Sequence, residues 1–223
     1  MSRTFTLPDS LSLSDLATFL GRAARVEDGS VRLIAGDGVL AVYVAVFYPS
    51  GLLDQSPTVL GLRTFQLVDR PSFDAVVPVR SLTERLVRLQ NDVVDPTAAV
   101  TATLPVEVNT VTWAAISPPR GGWSRLEPAD ETQLRETATA GIDEVATALG
   151  SETGEQIVTR VRSEVWSRPV PGAEHLPAAA AFAALSLGFL GDDEPVSVLE
   201  TGPWTRVTTS RGHVLVKRRG GLL

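Results

Sequence analysis

Four residues near the end of the sequence, Trp204, Arg206, Lys217 and Arg219, have the types and spacing to recognise an anion. Residues 204–209 and 213–218 read as the two strands of a hairpin joined across Arg211-Gly212, and side chains in a strand alternate between faces with a period of two. With Arg211-Gly212 as a two-residue loop, Thr208 faces Leu215, Arg206 faces Lys217 and Trp204 faces Arg219. Val207, Val214 and Val216 then fall on the buried face, and the aromatic and cationic residues share the other. Like charges directly opposed across a ladder repel, so Arg206 and Lys217 are expected to have a negative partner. An external anion, an acidic protein or a nucleic acid stacked on Trp204 would serve. The simplest partner needs no second molecule: the chain's own acidic stretch holding Glu127, Asp130, Glu131, Glu136, Asp143 and Glu144.

Charge is distributed to match. From Thr201 to Leu223 there is no Asp or Glu, while Arg206, Arg211, Lys217, Arg218 and Arg219 add five positive charges; the whole chain carries −6, so residues 1–200 carry −11. The tail is a basic patch on an acidic protein. The overall negative charge ranks nucleic acid last among the partners. Of the 20 basic residues only Lys217 is lysine, a bias that fits the codon usage of a GC-rich bacterial genome better than phosphate binding.

Pro118-Pro119-Arg120-Gly121-Gly122-Trp123 is the second candidate. Glycines beside an arginine and a tryptophan let a ligand approach the backbone, with Arg120 reading an anion. The same composition suits a turn between two halves whose Trp123 is anchored in a core.

Other chemistry finds less support. With no cysteine there is no disulfide, thiolate nucleophile, iron–sulfur cluster or Cys-ligated zinc. Neither a phosphate-binding glycine loop nor a Gly-x-Ser-x-Gly elbow is present. His175 and His213 lack the spacing that puts two ligands on one helix face, and Asp192-Asp193-Glu194 offers too few oxygens for a hard cation, so no metal or cofactor is expected. Paired carboxylates meet in space rather than in sequence, and their positions stay open.

The elements that must position these groups follow from periodicity. Thr4–Leu7 reads as a strand, followed by a helix opening at Ser12 with Asp15 in a capping-box pattern and Leu13, Leu16, Phe19, Leu20 and Ala23 on one face. Strands at 31–35 and 39–48 flank Gly36-Asp37-Gly38, and further strands are expected at 58–67 and 73–77. Ser81-Leu82-Thr83-Glu84 caps a helix to about residue 90, with Leu82, Leu86 and Leu89 on its stripe. Alternation over Val106–Ile116 predicts another strand.

After the Pro/Gly break come helices at 128–149, 153–167 and 177–190. The first has the stripe Leu134, Ala138, Ile142, Val145 and Leu149, and the second has Ile157, Val158, Val161 and Val165. The third is apolar nearly all round, which suits the central helix of its half or the seam of a dimer. Strands at 196–200, 204–209 and 213–218 finish the chain. Both halves thus place a helix before a hairpin, although the identity between the two stretches is too slight to mark an internal duplication.

The fold class expected is α+β: an antiparallel sheet with two helices in residues 1–117, then three helices and a small antiparallel meander in residues 118–223. Residues 176–190 are too short and alanine-rich a run to span a bilayer core of about 30 Å, and Met1–Pro8 has no leader character, so a cytoplasmic protein with no membrane partner is expected. The functional expectation is a non-catalytic interaction or scaffold protein forming a homodimer, with an acidic protein or anion as a further partner. The alternative is a small-molecule binding protein or hydrolase with its site in a cleft between the halves near residues 118–123.

Overall fold

The computed structural model describes residues 3–49, 51, 54–108, 111–148, 154–191 and 195–218. The protein is α+β, with an antiparallel sheet and two helices in its first half, and three helices and a small antiparallel meander in its second. It divides into two compact units, Met1–Ala45 with Leu62–Ser117 and Val46–Gly61 with Pro118–Leu223.

The first unit is built from β1 (Thr4–Leu7), α1 (Ser10–Val26), β2 (Ser30–Gly36), β3 (Val39–Phe47), β4 (Thr58–Gln66), β5 (Phe73–Pro78), α2 (Val79–Asp92) and β6 (Val100–Thr103). Its sheet has the order β5-β2-β3-β4, and β1 pairs with β6 as a separate antiparallel ribbon. The apolar stripe of α1 is buried as its spacing requires: Leu13, Leu16, Phe19, Leu20 and Ala23 are all inside. It meets Val79, Leu82 and Leu86 of α2, and Phe5, Leu7 and Ala102 of the ribbon are buried too. Asp37 and Gly38, with φ of 52° and 78°, form the two-residue turn between β2 and β3, the left-handed geometry that a tight hairpin selects.

On the outer face of β2, Arg32 holds Asp74 of β5 by two bonds, Nε to Oδ1 at 2.8 Å and Nη2 to Oδ2 at 2.6 Å. That fork holds the Asp74 carboxyl below the usual range.

Three local expectations are corrected here. The cap of α1 is Asp9, whose Oδ1 accepts the Ser12 N–H at 2.7 Å; an ionised carboxylate outcompetes the Ser12 hydroxyl at the positive end of a helix, and the bond lowers the Asp9 pKa. Asp15 instead forms an ion pair with Arg63 of β4. Helix α2 begins two residues before Ser81, with Pro78 as its boundary residue and the Val79 N–H donated to Gly29 O at 3.0 Å. Among the described residues of 106–116 the expected strand does not form: Val108 N donates once to Val76 O, Val106 is 86% exposed, and Thr112–Ala115 is a 3-10 turn that buries Trp113. Pro105, with no N–H to donate, stops the ribbon just after Leu104 has bonded to Arg3 O.

The second unit contains β7 (Ser124–Arg125), α3 (Glu131–Ala148), α4 (Glu155–Ser167), β8 (Pro169–Val170), β9 (Ala173–Pro177), α5 (Ala178–Ser186), β10 (Ser197–Thr201), β11 (Trp204–Thr209) and β12 (Gly212–Lys217). Its sheet runs β12-β11-β10-β7, and β8 with β9 makes a small hairpin. Helix α5 is central to this unit, packed on α3, α4 and β12 with six of its alanines buried, so it is not a free seam for a dimer.

Aromatic side chains supply the bulk that the alanines lack. Trp166 of α4 stacks on Phe182 of α5 at 4.4 Å and also covers Gly141 of α3, where an added Cβ would lie 2.5 Å from its ring. Phe189 covers Gly212 of β12 in the same way, again at 2.5 Å. The stripe of α3 is accordingly Leu134, Ala138 and Gly141, while Ile142 is 38% exposed; on α4, Val165 and Trp166 are inside and Ile157 is 46% exposed. Leu149 lies outside the described residues.

These close approaches set a stability test. Gly141→Ala and Gly212→Ala should each destabilise the protein by about 1–3 kcal/mol through overpacking, read as a lower urea midpoint. Gly21→Ala in α1, where a Cβ would meet nothing within 4 Å, should instead stabilise by about 0.5–1 kcal/mol.

Candidate interaction site

The hairpin that carries the cationic residues forms, but its register differs from the one expected. Its turn is Ser210-Arg211, with Thr209 opposite Gly212, so Arg206 faces Leu215 and Lys217 faces Trp204. Gly212 is needed inside the strand because Phe189 lies against it, and that takes it out of the turn. The shift moves each partner by two residues, which leaves every side chain on its expected face.

Trp204, Arg206 and Thr208 of β11 therefore share a face with His213, Leu215 and Lys217 of β12 and with Leu199 and Thr201 of β10. Arg125 of β7, opposite Leu199, extends it. No acidic side chain belongs to this set. Cation and aromatic meet twice: the Arg206 guanidinium carbon lies 4.7 Å from the Trp123 ring centre, and Lys217 Nζ lies 5.9 Å from that of Trp204. Trp204 is only 4% exposed, whereas Arg206, Lys217 and Trp123 are half-buried.

The expected acidic partner is elsewhere. Glu131 is taken by Arg135, Glu144 by Arg168 through bonds of 2.6 and 2.9 Å, and Asp130 Oδ1 accepts the Thr132 N–H. Among the described residues no ion pair reaches Arg206 or Lys217, and Arg206 Nε is buried without an acceptor. Burial without compensation lowers the Arg206 pKa, although a guanidinium stays charged. His213 is pushed below its usual value, first by burial and then by the charge of Arg206; its Nδ1 lies 3.1 Å from Thr208 Oγ1.

Of the residues singled out by sequence, Trp123, Trp204, Arg206 and Lys217 thus come together. Arg120 is exposed on the adjoining loop, where Trp123 Nε1 donates to Pro119 O at 3.2 Å. Arg219 lies outside the described residues, as do Asp192, Asp193 and Glu194. His213 and Arg125 join the site unannounced; the alternation that placed Lys217 on this face placed His213 there too, four residues earlier.

Two cavities are confined to single units. One of about 470 Å³ in the first unit is lined by Asp28, Arg80, Glu84 and Arg88, where Arg80 pairs with Asp28 and Arg88 Nε donates to Glu84 O. The other, of about 310 Å³ in the second, includes the Glu144–Arg168 pair. Each cavity is lined by one ion pair, Arg80 with Asp28 and Arg168 with Glu144. Among the described residues no group of three or more His, Asp or Glu could hold a metal ion, and no helix is long and apolar enough to cross a membrane.

Two family models divide the sequence. Residues 1–105 match a domain of unknown function (DUF8010), and residues 118–221 match another domain of unknown function (DUF8185). No curated protein matches the chain. Solved structures do match in backbone. One titled Caulobacter crescentus pol III beta has a TM-score of 0.55 at 13% identity, covering 99% of this chain and 66% of its own. In fold, the chain is similar to DNA polymerase sliding clamps. A second Caulobacter crescentus structure with that title gives 0.52 at 14% identity, covering 99% of this chain and 67% of its own. The sliding clamp from Pseudomonas aeruginosa with ligand gives 0.51 at 14%, covering 100% and 66%. The chain spans about two thirds of the length of these proteins.

The field at His213 is testable. Arg206→Met should raise the His213 pKa while leaving it below the ordinary 6.5, because burial remains; an NMR titration of the imidazole C–H reads this directly. A depressed His pKa means that the unfolded chain takes up the proton first. The His213 contribution to stability is therefore complete above about pH 6.5 and is lost as pH falls toward the folded value.

Proposed function

We propose that this chain is a non-catalytic, self-associating scaffold that works in the cytoplasm through protein contacts, on a sliding-clamp-like fold. The observation that carries the reading is the backbone likeness to sliding clamps across 99–100% of the chain. Four of the 26 acidic residues fit it. Asp9, Asp74, Asp95 and Glu144 are each held below the usual carboxyl range by hydrogen bonds to backbone amides or side chains, so each is occupied in capping, bracing a turn or ion pairing rather than poised to exchange a proton near neutrality.

Self-association needs apolar surface. Leu11 and Val94, 77% and 95% exposed, flank the hydrogen bond from Ser10 N to Pro96 O at one end of the first unit. They supply a place where two copies would bury side chains worth about 1.5–3 kcal/mol each.

The titles of the similar structures favour a second reading, contact with DNA. Arg22, Arg25, Arg80, Arg85 and Arg88 on α1 and α2 support it, and the acidic Glu131, Glu136, Asp143 and Glu144 of α3 oppose it.

Light scattering after size exclusion, at low and high salt, tests the first reading. A particle of twice the monomer mass at both salts is expected, and Leu11→Glu with Val94→Glu should weaken it at least about tenfold. A monomer at every concentration would defeat self-association. Anisotropy with duplex DNA that rises at low salt and collapses at high salt would move the assignment to the second reading.

A further inference from the structure

The cationic face of the second unit is built at a cost that its own unit does not explain. Arg206 is half-buried, its Nε lacks an acceptor, and among the described residues no carboxylate lies near enough to neutralise it. Lys217 and Arg125 stand on the same face, and its strand residues include no acid. Burying a charge without a partner is unfavourable, and the exposed acids of α3 do not reach this one. An anion supplied from outside the unit would complete the arrangement.

Aromatic geometry narrows the kind of anion. Single-stranded nucleic acids bind by stacking bases on open ring faces. Trp204 is 4% exposed, and Trp123 has Arg206 against its ring and its Nε1 committed to Pro119 O, so the rings here serve to hold the cations. A guanidinium lodged against a ring keeps N–H groups for the fork that a carboxylate accepts in two bonds. Where the charge is partly desolvated, its attraction for an incoming anion exceeds that of a freely hydrated arginine. A chain of net charge −6 also repels a long polyanion more than it repels a short acidic segment.

We propose that this face, centred on Arg206 and flanked by Lys217 and Arg125, docks an acidic peptide segment of a partner protein, with one carboxylate seated on the Arg206 guanidinium. The assignment rests on the chain being an interaction protein, but it does not require self-association.

The test uses the intact chain and a short fluorescein-labelled peptide of alternating glutamate and serine, with its glutamine counterpart and an oligothymidylate as comparison probes. The glutamate peptide should bind and the glutamine peptide should not. Arg206→Gln and, independently, Lys217→Gln should each weaken binding at least about tenfold. Arg70→Gln, at an exposed arginine of the first unit, should leave it unchanged. Thermal melts of each variant establish folding, and Lys217→Gln keeps the test alive if Arg206→Gln fails to fold.

No binding by the glutamate peptide, or an equal loss in Arg70→Gln, would overturn the proposal. So would tighter binding of the oligothymidylate that Arg206→Gln abolishes. Light scattering on the same samples separates this result from the oligomer question: a dimer that dissociates in Arg206→Gln would assign the face to a second copy and overturn the separate partner. A monomer that still binds the peptide would leave this proposal standing without self-association.

Discussion

The second unit depends on how closely an alanine helix can approach its neighbours. Six buried alanines give α5 almost no side-chain volume of its own, so the space around it must be filled from outside. Trp166 and Phe189 do this, and each needs a glycine opposite, Gly141 on α3 and Gly212 on β12. Two large rings thus fit two notches, and the helix between them is held without one long aliphatic side chain on its buried face. Alanine also has the best helix propensity and loses no side-chain entropy on burial, which suits a helix of only nine residues.

The first unit is assembled on a different principle, with long apolar side chains on two amphipathic helices and ion pairs left at the surface. Arg32–Asp74, Arg63–Asp15, Arg80–Asp28 and Arg3–Glu107 all have at least one exposed member, a setting in which such a pair contributes at most about 1 kcal/mol. Its cohesion is therefore hydrophobic, and its charges fix local geometry. Against that background the unpaired Arg206 of the second unit stands apart, since most other arginines with described contacts have an oxygen to donate to.

Strong periodicity was legible. The five inward residues of α1, the strands β2 to β5 and the three strands of the final meander follow from apolar spacing alone, as does the α+β class. What escaped was decided by competition between groups distant in sequence. Asp9 and Ser12 were both able to cap α1, and only the folded geometry shows the carboxylate in place. Val106–Ile116 alternates well, yet among its described residues the one backbone bond to a strand is Val108 N to Val76 O, and Trp113 leaves the alternation to enter the core through a 3-10 turn. The short pairs β7 and β8 have two residues each, too few for any periodic signal. At the candidate site the face of each residue was legible and its partner was not, because facing depends on parity while pairing depends on where the chain turns.

Gly212 was read as a turn residue, and its true place gives the hairpin a mechanical property. Phe189 occupies the volume a side chain on that residue would take. Moving β12 along β11 by one residue would bring His213 beneath the ring, and moving it by two would bring Val214, each with far too much bulk for the gap. The pair works as a pawl in a single notch: hydrogen bonds alone would tolerate a slip of two with all faces preserved, but the ring admits one position. The alignment of Trp204 with Lys217, and of Arg206 with an uncharged neighbour, is thereby fixed from the opposite side of the sheet.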